Sequence, residues 1–250
     1  MAKSGGGARG RSGRRTGSAR PARLNRTAAP RTTAKGKTAK PSAAAPAAPA
    51  PPPATRFVLG VIPGATAGGW VDAWRERMPR TELQLLPLDV ASQRTALLER
   101  GLDAALVRLP IAPDGLSVIA LYEETAVVVT SADSHLTAVD ELELADLAGE
   151  ILIVPRDDVL GTVVPGAVPA AFAAPEDTEQ AIATVAAGVG IVIVPMSLAR
   201  LHRRKDAAYR PLRDGPTSTV ALAWPTDRTS PEVEAFIGIV RGRTPNSSRG

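Results

Sequence analysis

Residues 57–78 read FVLGVIPGATAGGWVDAWRERM. Phe57–Ile62 is a short apolar run bounded by a turn signal, which fits a buried strand. Pro63 and Gly64 turn the chain. Trp70, Trp74 and Met78 then recur at i, i+4 and i+8, one face of a helix that stops near Pro79. A buried strand passing through a Gly-rich turn into a helix is the opening unit of an α/β sheet.

The same alternation continues outward. Leu83, Leu85, Leu86 and Leu88 predict a second strand, and Ser92 is placed to cap a helix whose Leu97 and Leu98 face inward before Gly101 stops it. Ala104–Leu109 predicts a third strand, Val118–Leu121 a fourth and Ala126–Val129 a fifth. The pattern then restarts. Leu144–Leu147 reads as a helical turn and Ile151–Val154 as a strand. Asp177 and Gln180 have the spacing of a helix start, followed by Ile182, Val185 and Val189 at helical intervals. Ile191–Val194 is a buried strand, MSLARL (196–201) a helix-like run and Val220–Trp224 the last strand. Ser230 as N-cap and Pro231 at N1 open a final helix with Val233, Phe236, Ile237 and Val240 on one face. Short apolar strands alternating with helices predict parallel sheets covered on both faces. Two such runs predict two lobes, with crossings near 130–140 and 215–225 and a cleft lined by strand ends.

The charge is divided unevenly. Residues 1–55 carry 12 Lys and Arg and no acid, whereas residues 56–250 carry 18 basic and 25 acidic residues. The first 55 residues contain no aromatic and, beyond Met1, only Leu24 as a large aliphatic. That composition cannot bury enough apolar surface to offset backbone ordering, so it predicts a disordered tail. Its basic part holds Arg9, Arg11, Arg14, Arg15, Arg20, Arg23, Arg26, Arg31, Lys35, Lys37 and Lys40, and residues 41–55 form an uncharged Pro-rich spacer. It lacks the apolar core of a signal peptide. Such an arm either contacts nucleic acid through phosphates, weakly and without sequence preference, or serves as a solvated extension. Residues 244–250 are expected to be a flexible C-terminus.

Chemistry is sparse. There are no cysteines, so neither a disulfide nor a thiolate metal site can form, and no apolar run is long enough to span a membrane. His135 and His202 are the only imidazoles, and no nucleophile elbow or paired metal-ligand spacing occurs. Glu123 and Glu124 are adjacent, so on a strand they face opposite ways. No catalytic residue, metal or cofactor is expected. The candidates are for binding. Gly64 and Thr66 lie at the first strand-to-helix turn, where free N–H groups suit an anion; an ordinary tight turn is the other reading. Ser92 is either a ligand contact or a plain N-cap. Arg108 interrupts an apolar run and must snorkel, pair with an acid or meet an anionic ligand. Arg156 is a weaker candidate in the second lobe.

Taken in order, GVIPGATAGGWVDAWRERMP (60–79), GLDAALVRLPIAPDGL (101–116), LYEETAVVVTSADSHLTAVDELELADLAGE (121–150) and TVAAGVGIVIVP followed by MSLAR (184–200) resemble the effector-binding domain of LysR-type transcriptional regulators. The resemblance spans roughly residues 56–240. It implies a type 2 periplasmic-binding-protein-like α/β fold with two lobes joined by two crossover strands. Residues 56–243 would be the substrate-binding domain, lobe one about 56–130 and 225–243, lobe two about 140–220. It further implies a non-enzymatic sensor of a small anionic metabolite, contacted from positions matching Thr66, Ser92 and Arg108, and a homodimer in the cytoplasm. Two features depart from the family. Residues 1–55 have no helix–turn–helix period, and the family's HPLA motif reads HLTA, with Leu136 in place of Pro. The competing reading is a histone-like, nucleoid-associated protein whose folded body only dimerises the basic arm.

Overall fold

A computed structural model describes residues 55–99 and 101–242. The basic residues Arg9 to Lys40, expected to contact nucleic acid, lie outside the described residues, as do residues 41–54 of the spacer and the last eight residues, whereas Thr55, expected to end the tail, is the first residue of a strand.

The first lobe is built on β1 (Thr55–Val61), α1 (Gly68–Arg77), β2 (Thr81–Pro87), α2 (Gln93–Glu99), β3 (Ala104–Arg108) and the first part of β4 (Leu116–Ser131). The second holds β5 (Ile151–Leu152), β6 (Val168–Pro169), α3 (Thr178–Ala186), β7 (Val192–Pro195), α4 (Met196–Leu201) and β8 (Ala207–Pro211). The chain returns to the first lobe as β9 (Thr217–Pro225) and α5 (Pro231–Val240).

In lobe one, β1 pairs in parallel with β2 and β3, and β9 then joins β3 and β4 antiparallel. The parallel pairing expected from the sequence therefore covers only its first half, because β9 is inserted between β3 and β4 and runs against both. Alternate residues serve opposite faces, as the two-residue period of a strand requires. Phe57, Leu59, Ala104 and Leu106 pack against α1 and α5, while Val58, Ala105 and Val107 pack with Ala96 and Leu97 of α2. The first face centres on an aromatic group. Phe57 stacks on Trp74 with ring centroids 4.7 Å apart, and Phe236 lies 5.5 Å from Phe57. Trp74 is fully buried, and its indole N–H donates to the Thr81 carbonyl at 3.1 Å.

The two strands expected at 118–121 and 126–129 are one 16-residue strand, β4. Its middle, Leu121–Thr125, is mostly polar and so breaks the apolar pattern. The strand continues there because it passes from one lobe's sheet to the other. Leu116–Ala120 and Tyr122–Thr125 pair with β9, with a register shift at Leu121, and from Ala126 onward the partners are β7 and β8. The first crossing thus falls at Thr125–Ala126, ahead of the 130–140 region indicated by the sequence pattern. The second enters β9 at Thr217.

Lobe two packs Val127, Val129, Val192 and Val194 against Ile182, Val185 and Leu198 of α3 and α4. Its opposite face holds Ala126, Val128 and Ile193 with Leu136, Leu142 and Leu147. Leu136 is buried there, in the altered HLTA segment. The strand expected at 151–154 shrinks to Ile151–Leu152, after which Val154 turns out to solvent. The caps of α3 and α5 lie where the sequence puts them: Asp177 accepts from Gln180 N–H and Ser230 from Val233 N–H.

Trp74→Ala removes the stacked partner and a buried hydrogen bond together. It is expected to destabilise the fold by about 3–5 kcal/mol, measured as a lower denaturation midpoint by far-ultraviolet circular dichroism.

Candidate functional site

A cleft of about 710 Å³ lies between the lobes. That volume is within the range of small-molecule sites. Lobe one contributes Pro63 from the β1–α1 turn, Asp89–Ala91 from the β2–α2 turn, and Arg108 to Pro110 at the end of β3. Lobe two contributes Arg156–Val159 and residues at the start of α3 and along α4.

Arg108 is the only charged residue of β3, and it is 1% exposed. Its Nη1 donates to Glu124 Oε2 at 2.6 Å and to Ser218 Oγ. Glu124 and Ser218 are direct cross-strand partners on β4 and β9, one pair before the crossing. Gln93, buried at the start of α2, fixes the backbone of the same residue. Its side-chain amide donates to the Arg108 carbonyl at 2.7 Å, and its carbonyl accepts from the Arg108 N–H at 2.9 Å. Arg108 therefore pairs with an internal acid, one of the alternatives that the sequence left open. Yet Nε and Nη2 of the same guanidinium are buried without a hydrogen-bond partner. Glu123 faces solvent and Glu124 the interior, as their adjacency on a strand requires.

Arg156 also lines the cleft, from the opposite lobe. Its guanidinium pairs with Glu176 at 2.9 Å, and both side chains are largely exposed. Arg108 and Arg156 are thus the two sequence candidates that line the same cavity. Gly64, Thr66 and Ser92 are not among its lining residues. Gly64 has φ +81°, and a Cβ there would run into the Ser197 side chain of lobe two. The positive φ and the close approach both call for glycine at this position. Thr66 is exposed, and its backbone N–H is engaged by the Tyr122 hydroxyl. Ser92 does not cap α2. It ends a 3-10 turn, Val90–Ser92, that precedes the helix, and its Oγ donates to the Asp89 carbonyl at 3.3 Å.

Sequence reasoning missed Gln93, Glu124 and Ser218, which lie 15, 16 and 110 residues from Arg108. It also missed Ser197, whose Oγ is buried without a partner. The acidic character of the lining had no local signal either, because Asp89, Asp157, Asp158, Glu176, Asp177 and Glu179 come from three loops and a helix start. Several of these serve their own loops. Asp157 accepts from the Thr178 hydroxyl at 2.9 Å, and Asp158 accepts from the N–H groups of Leu160 and Gly161 at 3.0 Å. Among the described residues, none of these acids is grouped as a metal site.

Such an arrangement, two α/β lobes joined by two crossover strands around a cleft lined by charged and apolar side chains, defines a ligand-binding domain. The LysR substrate binding domain family matches residues 52–245, and the chain belongs to that family. Its fold is accordingly of the type 2 periplasmic-binding-protein-like class. The chain is 26% identical over 183 residues to the Hca operon transcriptional activator HcaR of Escherichia coli K12, covering 68% of this chain and 60% of that protein. It therefore spans less than two thirds of that relative's length. Among solved structures it resembles the BenM effector binding domain with its effector benzoate, with a TM-score of 0.63 at 21% identity over 76% of this chain and 95% of that one. It is similar in fold to the reduced OxyR regulatory domain from Pseudomonas aeruginosa, with a TM-score of 0.60 at 21% identity over 77% and 97% of the two chains.

Two outcomes follow from the hinge chemistry. Glu124→Ala strands a buried guanidinium and is expected to destabilise the protein by about 3–5 kcal/mol, read from urea unfolding. Burial raises the Tyr122 pKa, opposed by the Thr66 N–H. The fold favours the neutral phenol, so the unfolded chain ionises first as pH rises. The stabilising contribution is complete below about pH 10 and lost as pH climbs through the raised folded value. In Tyr209→Phe protein, which keeps Tyr122 as its only tyrosine, phenolate absorbance should titrate with a midpoint above about 10.

Proposed function

We propose that the chain is the effector-sensing part of a LysR-type regulator and that it binds a small carboxylate-bearing metabolite between its lobes. One observation carries the choice of carboxylate. Arg108 is a residue of the cleft, and one edge of its guanidinium is buried without a partner; a planar two-oxygen acceptor is the partner that such an edge takes best once it is reached from the cleft. The expected anion thus keeps Arg108 as a specific anchor, with the turn residues Gly64, Thr66 and Ser92 outside the lining of this cavity. Arg156, paired with Glu176, is the contact proposed on the other lobe.

Binding is the reading that membership of a substrate-binding family supports. The chain has no cysteine, so any response it makes does not pass through a disulfide of its own. No helix among the described residues is long and apolar enough to cross a membrane. A cytoplasmic homodimer is the assembly proposed for it. The basic segment supports a further, sequence-independent contact with DNA, since its 12 cations are interrupted by no acid.

Isothermal titration of the full chain with a set of small carboxylates, benzoate included, tests the sensing part. Saturable binding that Arg108→Lys abolishes is expected, because Lys keeps the charge but loses the planar fork. Binding unaffected by Arg108→Lys would contradict it. Gel shifts with and without residues 1–55 across a salt series test the DNA part. Deletion should remove the salt-sensitive affinity, and unchanged affinity would overturn it.

A further inference from the structure

We infer that the effector is a small zwitterion, with a carboxylate seated on Arg108 and an ammonium group turned toward the acids of lobe two. The inference rests on the sensing role proposed above and assigns the chemical class of the ligand.

Two independent observations meet in this cleft. The first is the guanidinium of Arg108. Its five N–H donors are not all used: Nη1 serves Glu124 and Ser218, while Nε and Nη2 have no partner although the residue is 1% exposed. Nε and Nη2 form the side edge of the fork, whose parallel donors match the two oxygens of a carboxylate. Glu124 cannot supply both edges at once, because it is held on the Nη1 side by its place opposite Ser218.

The second is the charge of the walls. Six carboxylates line the cavity against two guanidiniums. Arg156 is engaged by Glu176 and Arg108 by Glu124, and the His202 imidazole of the lining lies 3.9 Å from Glu179, so among the described residues Asp89, Asp157, Asp158 and Asp177 line the cavity with no ion pair of their own. Five of the six acids belong to lobe two, in the segments 157–158 and 176–179. A simple dianion entering this space would gain one anchor and meet repulsion from the facing lobe. A simple amine would meet the acids and leave the buried donors of Arg108 unpaired. A molecule carrying both groups satisfies both walls, and it bridges the lobes in doing so. The ammonium is a strong triple donor, and the acids of loop 157–158 and of the α3 start retain acceptor capacity, Asp157 and Asp177 beyond one bond each and Asp158 beyond two.

The test compares matched probes on the full chain by calorimetry: 6-aminohexanoate and the common α-amino acids against hexanoate, hexylamine and benzoate. At least one zwitterion should bind about tenfold or more tightly than hexanoate and hexylamine, the scale of one added charge-assisted contact. Arg108→Lys should abolish that preference. Because Arg108 also braces the hinge, a second variant separates binding from folding. In Asp157→Asn with Glu179→Gln, zwitterion affinity should fall while hexanoate affinity holds or rises. Hexanoate or benzoate binding more tightly than every zwitterion would overturn the inference and leave the sensing role standing. Hexylamine binding more tightly than every zwitterion, independently of Arg108, would also overturn it. Failure of every probe to bind would overturn both.

Discussion

The guanidinium of Arg108 joins the two strands on which the lobes are hung. Its Nη1 holds Glu124 of β4 and Ser218 of β9, which face each other in register one pair before the strands part. One pair further on, Thr125 meets Thr217, and beyond that β4 belongs to the other sheet. The direction in which β4 leaves lobe one is therefore fixed beside a buried ion pair. A buried pair of this kind adds little net stability relative to apolar packing, but losing one partner is severe. Its consequence is geometric. Gln93 locks the Arg108 backbone through two hydrogen bonds, and the end of β3, the start of α2 and both crossover strands share one rigid point.

That arrangement connects binding to lobe geometry. A planar guanidinium cannot move its Nε–Nη2 edge without moving Nη1. A carboxylate on the free edge acts on the same group that holds the crossover strands, while an ammonium in the acidic loops of lobe two acts across the hinge. A ligand shifts the balance between lobe positions only as far as it binds them differently. Contacts on both walls provide that difference, and contacts on one wall do not.

Much of the frame was legible because it depends on local pattern. The β1 run, the helix face of Trp70, Trp74 and Met78, and the caps Asp177 and Ser230 all follow from spacing and side-chain chemistry within a few residues. Errors arose where tertiary contacts override pattern. The polar middle of β4 looked like a break, yet Glu124 and Thr125 continue the ladder because β9 supplies their partners. β8, with the sequence AAYRP, has no apolar alternation and becomes a strand only beside β4. Ser92 had the chemistry of a cap, but a 3-10 turn displaced it from the helix start. Arg108 was visible as a charge in an apolar run, whereas its partners were not, since the fold alone brings Ser218 to it across 110 residues. The acidic walls were invisible for the same reason.

The free edge of Arg108 can be observed directly. Heteronuclear NMR of arginine Nε–H groups, with the Arg108 signal identified by its loss in Arg108→Lys, reports whether that donor acquires a partner. On saturation with the zwitterion that binds most tightly, the signal should move downfield and exchange with solvent more slowly. An Arg108 Nε–H signal that stays unchanged while the ligand saturates the cleft would contradict the account.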